Sequence, residues 1–287
     1  MPVKVKKLVH IPHGSVTKII THLRENESIS VGILDKYLFR FFGQPQSGWI
    51  DLKHPILSKG DLLYSLSHNK AAVKTITLVP GETSYFFLKS LSKTFNMDES
   101  LLKELYNRKM PLSEGYIVPE TYNIPLGLDE AELINIFYIL SHQTHKKRAE
   151  KFLGVYNQKQ WFKYLRMASV VQKEAANIEE MPLVASVIYN RIKKGMRLQM
   201  DGTLNYGLYS HQKVTPYRIR NDKSRFNTYK YRGLPLLPVC AVSIHAIDAA
   251  LRPSKTDYLY FMKNKQGTHD FTRYYSTHLK NIANGKK

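Results

Sequence analysis

Residues 158–194, QKQWFKYLRMASVVQKEAANIEEMPLVASVIYNRIKK, carry two consecutive stripes of apolar side chains at helical spacing. The pattern predicts one helix over residues 158–176 and a second over residues 181–194. Lys193 and Lys194 lie in the last turn of the second helix and Gly195 follows them, which is typical of a helix end. A packed helix pair is therefore expected in the middle of the chain.

Glu174 lies on the apolar stripe of the first helix, in its last turn. It follows Val171 by three positions, Val170 by four and Met167 by seven. A carboxyl group at such a position faces the interior or a cleft, and desolvation there raises its pKa, as a general acid requires near neutral pH. Position alone favours the plainer alternative, which is a buried glutamate paired with a basic residue.

Glu179 and Glu180 provide a contrast to Glu174 because they lie where the second helix of the pair starts. Carboxylates at a helix N-terminus complement the helix dipole. We therefore expect a structural role for these two residues and not a catalytic one.

A second group of polar residues lies in the irregular region that follows the helix pair. Amides, a carboxylate and tyrosines in loops suit sugars, because hydroxyl-rich ligands need fixed donors, fixed acceptors and an aromatic face. Ordinary turn chemistry explains the same residue types equally well. The residues of this group are Gln199, Asp201, Asn205, Tyr206, Asn227, Thr228 and Tyr229.

Composition and charge limit the classes of protein to consider. The chain has 287 residues, of which 43% are apolar, enough for a packed core, so a disordered protein is excluded. Its 43 basic and 23 acidic residues give a net charge of +20, which favours nucleic acid, phospholipid or an acidic polymer as a partner.

A single cysteine excludes an intrachain disulfide and a cysteine zinc site. Glycine-rich nucleotide-binding motifs do not occur in the sequence.

Outside the helix pair, the pattern predicts an α+β fold with short strands. The first 80 residues read as a strand over residues 3–11, two helices capped by Ser15 and Ser30, and further strands and a short helix. The second of these helices is ended by Gly43, and its apolar residues at helical spacing are Ile33, Leu34, Tyr37, Leu38, Phe41 and Phe42. The remainder is rich in helices, with two short strands over residues 258–263 and 269–272. Neither a transmembrane helix nor a signal peptide is visible in the sequence.

The segments Ala168 to Glu174 and Pro182 to Arg191 resemble the YceG-like family, the MltG endolytic murein transglycosylases. The resemblance spans almost the whole chain and is densest from Glu114 onward. Its further matches are residues 114–116, 119–122, 195–201, Thr203, 206–207, 227–229, 233–235, 257–261, Gly267, His269, Phe271 and His278.

The resemblance implies a LysM-like subdomain over residues 1–80 and a catalytic domain over residues 81–287. It implies cleavage of the β-1,4 bond between N-acetylmuramic acid and N-acetylglucosamine in nascent peptidoglycan, without water as the nucleophile, which leaves 1,6-anhydromuramic ends and helps to terminate strand elongation. Glu174 corresponds to the family's catalytic glutamate, and no cofactor or metal is implied. The residues expected to bind the substrate are Glu114, Gln199, Asp201, Asn227 and Tyr229, and the cleft beside Glu174 is expected to be lined by the Glu114 loop and the other four. Glu114 itself is expected to orient the site or the Tyr116 loop that follows it.

The sequence departs from the family pattern at two places. Gln172 and Ala175 stand where the family commonly has glutamate and threonine, and residues 236–239 replace a Pro-Gly-Pro-Ile segment. These changes affect the expected loop shape and the details of glycan binding, while the catalytic glutamate is kept.

The resemblance also implies a location and partners. Family members are usually tethered to the cytoplasmic membrane by one N-terminal helix, so we expect a bacterial inner-membrane protein whose anchor precedes the present Met1. Peptidoglycan strands are the expected partner, together with peptidoglycan synthases, and no nucleic acid. Two alternatives remain open at this stage: a catalytically silent glycan-binding scaffold of cell-wall synthesis, which would be free to lose Glu174, and a nucleic-acid-binding protein, which only the charge supports.

Overall fold

The computed structural model describes residues 2–6, 8–12, 14–45, 47–52, 56–69 and 72–285. The chain divides into two units. The first comprises Met1–Ile76 together with Tyr122–Asp129, and the second comprises Thr77–Thr121 and Glu130–Lys287. A short segment from the middle of the sequence therefore returns to the unit that the N-terminal residues form.

In its described residues, the first unit is built from short antiparallel strand pairs and three helices. β1 pairs with β4, and β2 pairs with β3 so that Val9 lies opposite Ile50. Buried aliphatic side chains from the helices, among them Leu23 and Leu62, complete its core. The elements are β1 Pro2–Lys4, β2 Leu8–Ile11, α1 Val16–Glu25, α2 Asp35–Phe42, β3 Gly48–Asp51, β4 Ile56–Ser58, α3 Lys59–His68 and most of β5 Val73–Thr77 and β6 Thr121–Pro125.

The N-terminal segment differs from its sequence prediction in two ways. The strand expected over residues 3–11 is two separate strands, and residue 7 between them lies outside the described residues. The helix expected to begin at Ser30 begins at Asp35, whose carboxylate accepts the backbone N–H of Gly32 at 2.6 Å. Gly43 does end it, with a φ of 100°.

The apolar face predicted for α2 is mostly exposed. Leu34 and Phe41, which belong to that face, are 78% and 82% exposed, whereas Phe39, which was not predicted to be on it, is fully buried. The later start leaves only about two turns of helix, and a helix that short buries a single row of side chains. Helical spacing of apolar residues therefore did not predict which of them pack.

The second unit is mainly helical and carries one β-hairpin, formed by β7 and β8. This mixture of helices with short strands confirms the predicted α+β class. Two 3-10 turns, Asp201–Leu204 and Gly207–Tyr209, lie in the region predicted to be irregular. The remaining elements are α4 Ser84–Phe95, α5 Glu99–Lys109, α6 Glu130–Leu153, α7 Gln158–Glu174, α8 Met181–Lys193, α9 Pro216–Asn221, α10 Ile244–Leu251, β7 Tyr260–Lys263, β8 His269–Thr272 and α11 Tyr275–Gly285.

The predicted helix pair is present as α7 and α8. α7 starts at the cap residue Asn157, whose side chain accepts the backbone N–H of Gln160, and it ends at Glu174 because Ala175 is extended. Ser169 within α7 accepts the backbone N–H of Val239 at 2.9 Å and donates to the Arg166 carbonyl. α7 thus serves as a rigid support for the loops that follow it in sequence. Across the described residues, no helix is both long and apolar enough to cross a membrane.

Candidate active site

Glu174 is the last residue of α7 and is half-buried. The stripe that predicted its orientation is buried as expected, with Val170 and Val171 fully buried. Its Oε1 accepts the backbone N–H of Gly202 at 2.7 Å. The end of α7 is therefore joined to the 3-10 turn at residues 201–204 through the carboxyl group itself.

The contact between the end of α7 and the turn requires glycine at position 202. A Cβ atom there would lie 2.6 Å from the Cβ of Lys173 and 2.8 Å from Oε1 of Glu174. Both distances are too short for real Cβ contacts, so only a residue without a side chain lets the turn approach the helix end. Gly202 is itself buried.

A cavity of about 430 Å³ opens beside Glu174. Its volume lies in the range of small-molecule and cofactor sites. Side chains from α7, α8, the 198–201 loop, Tyr229, the β7–β8 hairpin and α11 surround it, so residues far apart in sequence meet there. The lining residues are Glu174, Arg191, Leu198, Gln199, Met200, Asp201, Tyr229, Tyr260, Phe261, Met262, Lys263, His269, Tyr275 and His278.

The pKa of Glu174 is raised to about 7. Desolvation of its carboxyl group is the largest cause, and the negative charge of Asp201 adds to it, while the Gly202 N–H and Arg191 act in the opposite direction. A carboxyl group with this pKa holds its proton in a large fraction of molecules at neutral pH. It is therefore able both to donate a proton and, once ionised, to take one back.

Three of the predicted site residues line the same cavity as Glu174: Gln199, Asp201 and Tyr229. The Tyr229 hydroxyl donates to Oδ1 of Asp201 at 2.7 Å. Burial and the neighbouring Asp201 raise the pKa of Tyr229, so its hydroxyl stays protonated. Gln199 has a φ of 51°, a left-handed conformation that is uncommon for a residue with a side chain, and it is exposed and lines the cavity.

Asn227 is placed differently from its prediction. Its side chain is fully buried and does not line the cavity. Its Nδ2 donates to the carbonyls of Ile219 and Asp222, and its Oδ1 accepts the backbone N–H of Tyr229. The expectation that it lines the cleft is therefore corrected, because all of its polar atoms are used in shaping the loop that presents Tyr229.

Glu114 also lies away from the cavity lining. Its buried carboxylate accepts the backbone N–H of Ser84 at 3.0 Å, the Ser84 hydroxyl at 3.0 Å and the backbone N–H of Gly115 at 2.9 Å. Burial raises its pKa to about 7 despite these hydrogen bonds. The expectation that it lines the cleft is corrected, because the carboxylate is used at the N-terminus of α4, while its bond to Gly115 joins it to the loop that it was expected to orient.

Arg191 is a cavity residue that the sequence analysis did not single out. Its Nε donates to the Leu259 carbonyl at 2.6 Å and its Nη1 donates to the Leu198 carbonyl, so it ties the start of the hairpin segment to the 198–201 loop. It lies three positions after Ile188 and four after Val187, both fully buried. Arg191 therefore lies on the apolar stripe of α8 as Glu174 lies on that of α7, and its inward position could have been predicted from the sequence in the same way.

Glu180 holds the hairpin to the turn between α7 and α8. Its carboxylate accepts the backbone N–H of His269 and contacts His269 Nδ1, each at 2.7 Å. Burial acts to raise the pKa of Glu180, but the hydrogen bonds from His269 outweigh it and keep that pKa low. The carboxylate was expected to interact with the N-terminus of the helix, but its main partner is His269 of the hairpin. Among the residues that the structure describes, no three potential metal ligands cluster.

Known proteins resemble this chain over most of its length. The model of the YceG-like family matches residues 9–284. A relative from Bacillus subtilis (strain 168), named endolytic murein transglycosylase, is 29% identical over 95% of this chain and 82% of its own length. A relative of the same name from Streptococcus pneumoniae (strain D39) is 29% identical over 78% of this chain, which covers 41% of that longer protein.

A solved structure has the same fold. It is the 2.6 Å crystal structure of a YceG-like protein from Listeria monocytogenes. It superposes with a TM-score of 0.64 at 25% identity and covers 96% of this chain and 99% of its own.

Proposed function

Because the chain belongs to the YceG-like family, we propose that it is an endolytic murein transglycosylase. Its substrate is the glycan strand of peptidoglycan, and it cleaves the β-1,4 bond between N-acetylmuramic acid and N-acetylglucosamine inside the strand. The observation that carries the proposal is Glu174, a half-buried carboxyl group with a pKa of about 7 at the wall of a 430 Å³ cavity. The relatives named endolytic murein transglycosylase support it.

One carboxyl group performs both proton transfers in this mechanism. Protonated Glu174 donates to the glycosidic oxygen, the bond to the muramyl anomeric carbon breaks, and the N-acetylglucosamine leaves with a free 4-hydroxyl. The muramyl 6-hydroxyl then attacks the anomeric carbon, and ionised Glu174 accepts its proton. The products are a 1,6-anhydromuramic end and a new N-acetylglucosamine end, and no water is consumed.

Asp201 has a supporting part in this proposal. Hydrolytic glycosidases usually need a second carboxylate as base or nucleophile, and transfer within the muramyl residue does not. Asp201 accepts a hydrogen bond from the Tyr229 hydroxyl, and its negative charge raises the pKa of Glu174. Its role is therefore to keep the acid protonated, while the dipoles of Gln199 and Tyr229 face the positive charge that develops at the anomeric carbon.

Product analysis tests the reaction. Purified sacculi incubated with the protein should release fragments with 1,6-anhydromuramic ends, detected by mass spectrometry, and the shortened strands should show internal cleavage. A mixture dominated by reducing-end muramic acid would contradict the proposal, because water would then be the nucleophile, and Asp201 would become the candidate second carboxylate.

A substitution tests the residue. Glu174→Gln keeps the shape of the side chain and removes its exchangeable proton, so turnover should fall by about 10²–10⁴-fold. Glu179→Gln is the matched control, since Glu179 is an exposed carboxylate five positions further on, and it should keep full turnover. Turnover of Glu174→Gln within a few-fold of the wild type would exclude Glu174 as the acid and would favour a different active residue.

The cellular role is part of the same proposal. Cleavage of nascent strands would help to terminate their elongation, at the outer face of the cytoplasmic membrane and beside peptidoglycan synthases. The net charge of +20 fits work near an anionic envelope. Cells in which only the Glu174→Gln form is made should have longer glycan strands than wild-type cells, and an unchanged length distribution would contradict this role.

A further inference from the structure

Three aromatic rings at the cavity have no part in the proton transfers described above. Tyr260 on β7 and Tyr275 and His278 on α11 all line the cavity that contains Glu174. The rings of Tyr260 and His278 are stacked, with centroids 5.2 Å apart and an interplanar angle of 24°. Tyr275 lies with its centroid 5.6 Å from Tyr260 and 6.3 Å from His278. We refer to these three residues as the aromatic shelf.

The shelf is open to the cavity. Tyr275 is 58% exposed although it packs beside two other rings, so much of its ring has no protein partner. Exposed aromatic surface in a concave site is favourable for binding an apolar face of a ligand, since aromatic rings contribute large contact area at low entropic cost. Tyr274, the residue before Tyr275, is similarly exposed, at 63%, but does not line the cavity.

The shelf is uncharged at neutral pH, and the side chain of Arg191 lies over one of its rings. Burial and the charge of Arg191 lower the pKa of His278, so its ring is neutral. The Arg191 guanidinium carbon lies 5.3 Å from the centroid of Tyr260, where it holds that ring in place. The Nδ1 of His278 is buried without a hydrogen-bond partner in the described part of the chain, so this ring contributes packing and not a polar anchor on that side.

We propose that the aromatic shelf binds one pyranose ring of the glycan strand, next to the bond that is cleaved. A β-linked amino sugar has one ring face made of C–H groups, which packs on aromatic rings, and polar edges, which need donors and acceptors. The same cavity supplies both: the shelf for the C–H face and Gln199, Asp201 and Tyr229 for the edges. The inference rests on the proposed function and adds to it the subsite that holds the sugar.

Binding in an inactive background tests the shelf separately from catalysis. In Glu174→Gln protein, isothermal titration with a purified peptide-free tetrasaccharide of alternating N-acetylglucosamine and N-acetylmuramic acid measures Kd without cleavage. We expect Tyr275→Ala to weaken binding about 10-fold, a loss that one aromatic contact typically accounts for. Tyr275→Phe keeps the ring and should bind within about twofold of the parent. Tyr274→Ala, the matched control outside the cavity, should also bind within about twofold, because it removes an equally exposed ring that does not face the ligand.

The outcomes separate the possibilities. Equal weakening by Tyr275→Ala and Tyr274→Ala, or no weakening by Tyr275→Ala, would overturn the shelf. Weakening by Tyr275→Phe as strong as that by Tyr275→Ala would also overturn it, because the hydroxyl and not the ring face would then bind the sugar. A second measurement is saturation-transfer NMR, in which irradiation of aromatic protons should saturate the sugar ring C–H protons and Tyr275→Ala should reduce that transfer.

These results do not depend on the reaction assigned to Glu174. If wild-type protein yields anhydromuramic products while the shelf variants bind normally, the shelf fails and the proposed function stands. If the wild type yields no such products while the shelf variants lose affinity, the glycan subsite stands and the reaction fails.

Discussion

Glu174 and Glu114 are two glutamates whose pKa burial raises to about 7 in each case. Their hydrogen bonds distinguish them. Glu174 accepts one backbone N–H and lines a cavity, while Glu114 accepts three hydrogen bonds from Ser84 and another from Gly115. A raised pKa therefore marks a candidate acid only where the group also has room for a substrate.

The pH dependence of turnover should follow Glu174. The acid must be protonated to donate, so kcat/KM should fall as pH rises through about 7. Asp201 raises the pKa of Glu174 by its negative charge, and Asp201→Asn removes that charge while keeping an oxygen that accepts the Tyr229 hydroxyl. In Asp201→Asn, the fall of kcat/KM at alkaline pH should therefore begin at lower pH than in the wild type.

Profiles of kcat/KM on glycan strands measure both effects. Asp257→Asn, which changes an exposed carboxylate outside the cavity lining, is the control and should leave the pH at which kcat/KM falls unchanged. If the pH at which kcat/KM falls were the same in Asp201→Asn and the wild type, another group would control the pH dependence.

At the scale of elements, the contact between the end of α7 and the 201–204 turn fixes the position of the Glu174 carboxyl group. Gly202→Ala would place a methyl group 2.6 Å from Lys173 Cβ and 2.8 Å from Glu174 Oε1. We expect the turn to move away, the hydrogen bond from residue 202 to Glu174 to be lost, and the free energy of unfolding to fall by about 1–3 kcal/mol. Turnover should decrease with it, because Glu174 loses its fixed orientation.

Gly32→Ala is the matched control for this substitution, since a Cβ at Gly32 meets no heavy atom within 4 Å and its φ is not in the left-handed region. Chemical denaturation and strand-cleavage assays measure the two consequences. Unchanged stability and turnover in Gly202→Ala would show that the turn accommodates a side chain, and the contact between the turn and α7 would then have no role in positioning Glu174.

The N-terminus of α4 is a second element whose stability depends on one carboxylate. Glu114→Ala should leave the buried N–H groups of Ser84 and Gly115 without an acceptor and reduce the free energy of unfolding by about 1–3 kcal/mol. Glu114→Gln keeps an acceptor oxygen and should lose less. KM for glycan strands should change little in either variant.

Kinetic and denaturation measurements on the two variants separate a structural role from the substrate-binding role that the sequence suggested. A large rise in KM with unchanged stability would support substrate binding and would contradict the structural interpretation.

At the scale of the whole molecule, the first unit includes a segment that lies far along the sequence, Tyr122–Asp129. Within that unit, Gly127 packs so closely on Trp49 that an added Cβ would lie 1.3 Å from the indole Nε1. Its φ of 82° also favours glycine. The segment is therefore packed into the unit through a contact that tolerates no side chain.

Gly127→Ala should destabilise the protein more than Gly154→Ala does. Both positions have a positive φ, 82° and 76°, so backbone strain is matched, but a Cβ at Gly154 meets no atom within 4 Å. The steric conflict with Trp49 should therefore add about 1–3 kcal/mol to the loss in Gly127→Ala. Thermal unfolding of the full chain measures the difference, and equal losses in the two variants would contradict the close packing of this segment on Trp49.

Sequence reasoning was accurate for several features that neighbouring residues determine, although the start and the buried face of α2 were not among them. The starts of α7 and α8, the Ser15 cap of α1 and the buried stripe beneath Glu174 follow from side chains within a few positions of one another, while α7 and α8 end two and one residues before their predicted ends. The stripe sets which way a helical side chain points, because the period of the helix is a local property. The orientation of Glu174 could therefore be predicted from the sequence.

Tertiary structure alone decided which residues share the cavity. The contacts that build it join Glu174 to Gly202, 28 positions apart, Arg191 to Leu259, 68 positions apart, and Glu180 to His269, 89 positions apart. Long-range packing also holds Glu114 against Ser84, 30 positions away, and brings the aromatic shelf to the cavity. Asn227, by contrast, is kept out of the lining by hydrogen bonds to residues within eight positions of it. The physical reason is that a residue's secondary structure depends on its neighbours in the chain, whereas its place in a site depends on packing between elements, which no local pattern specifies.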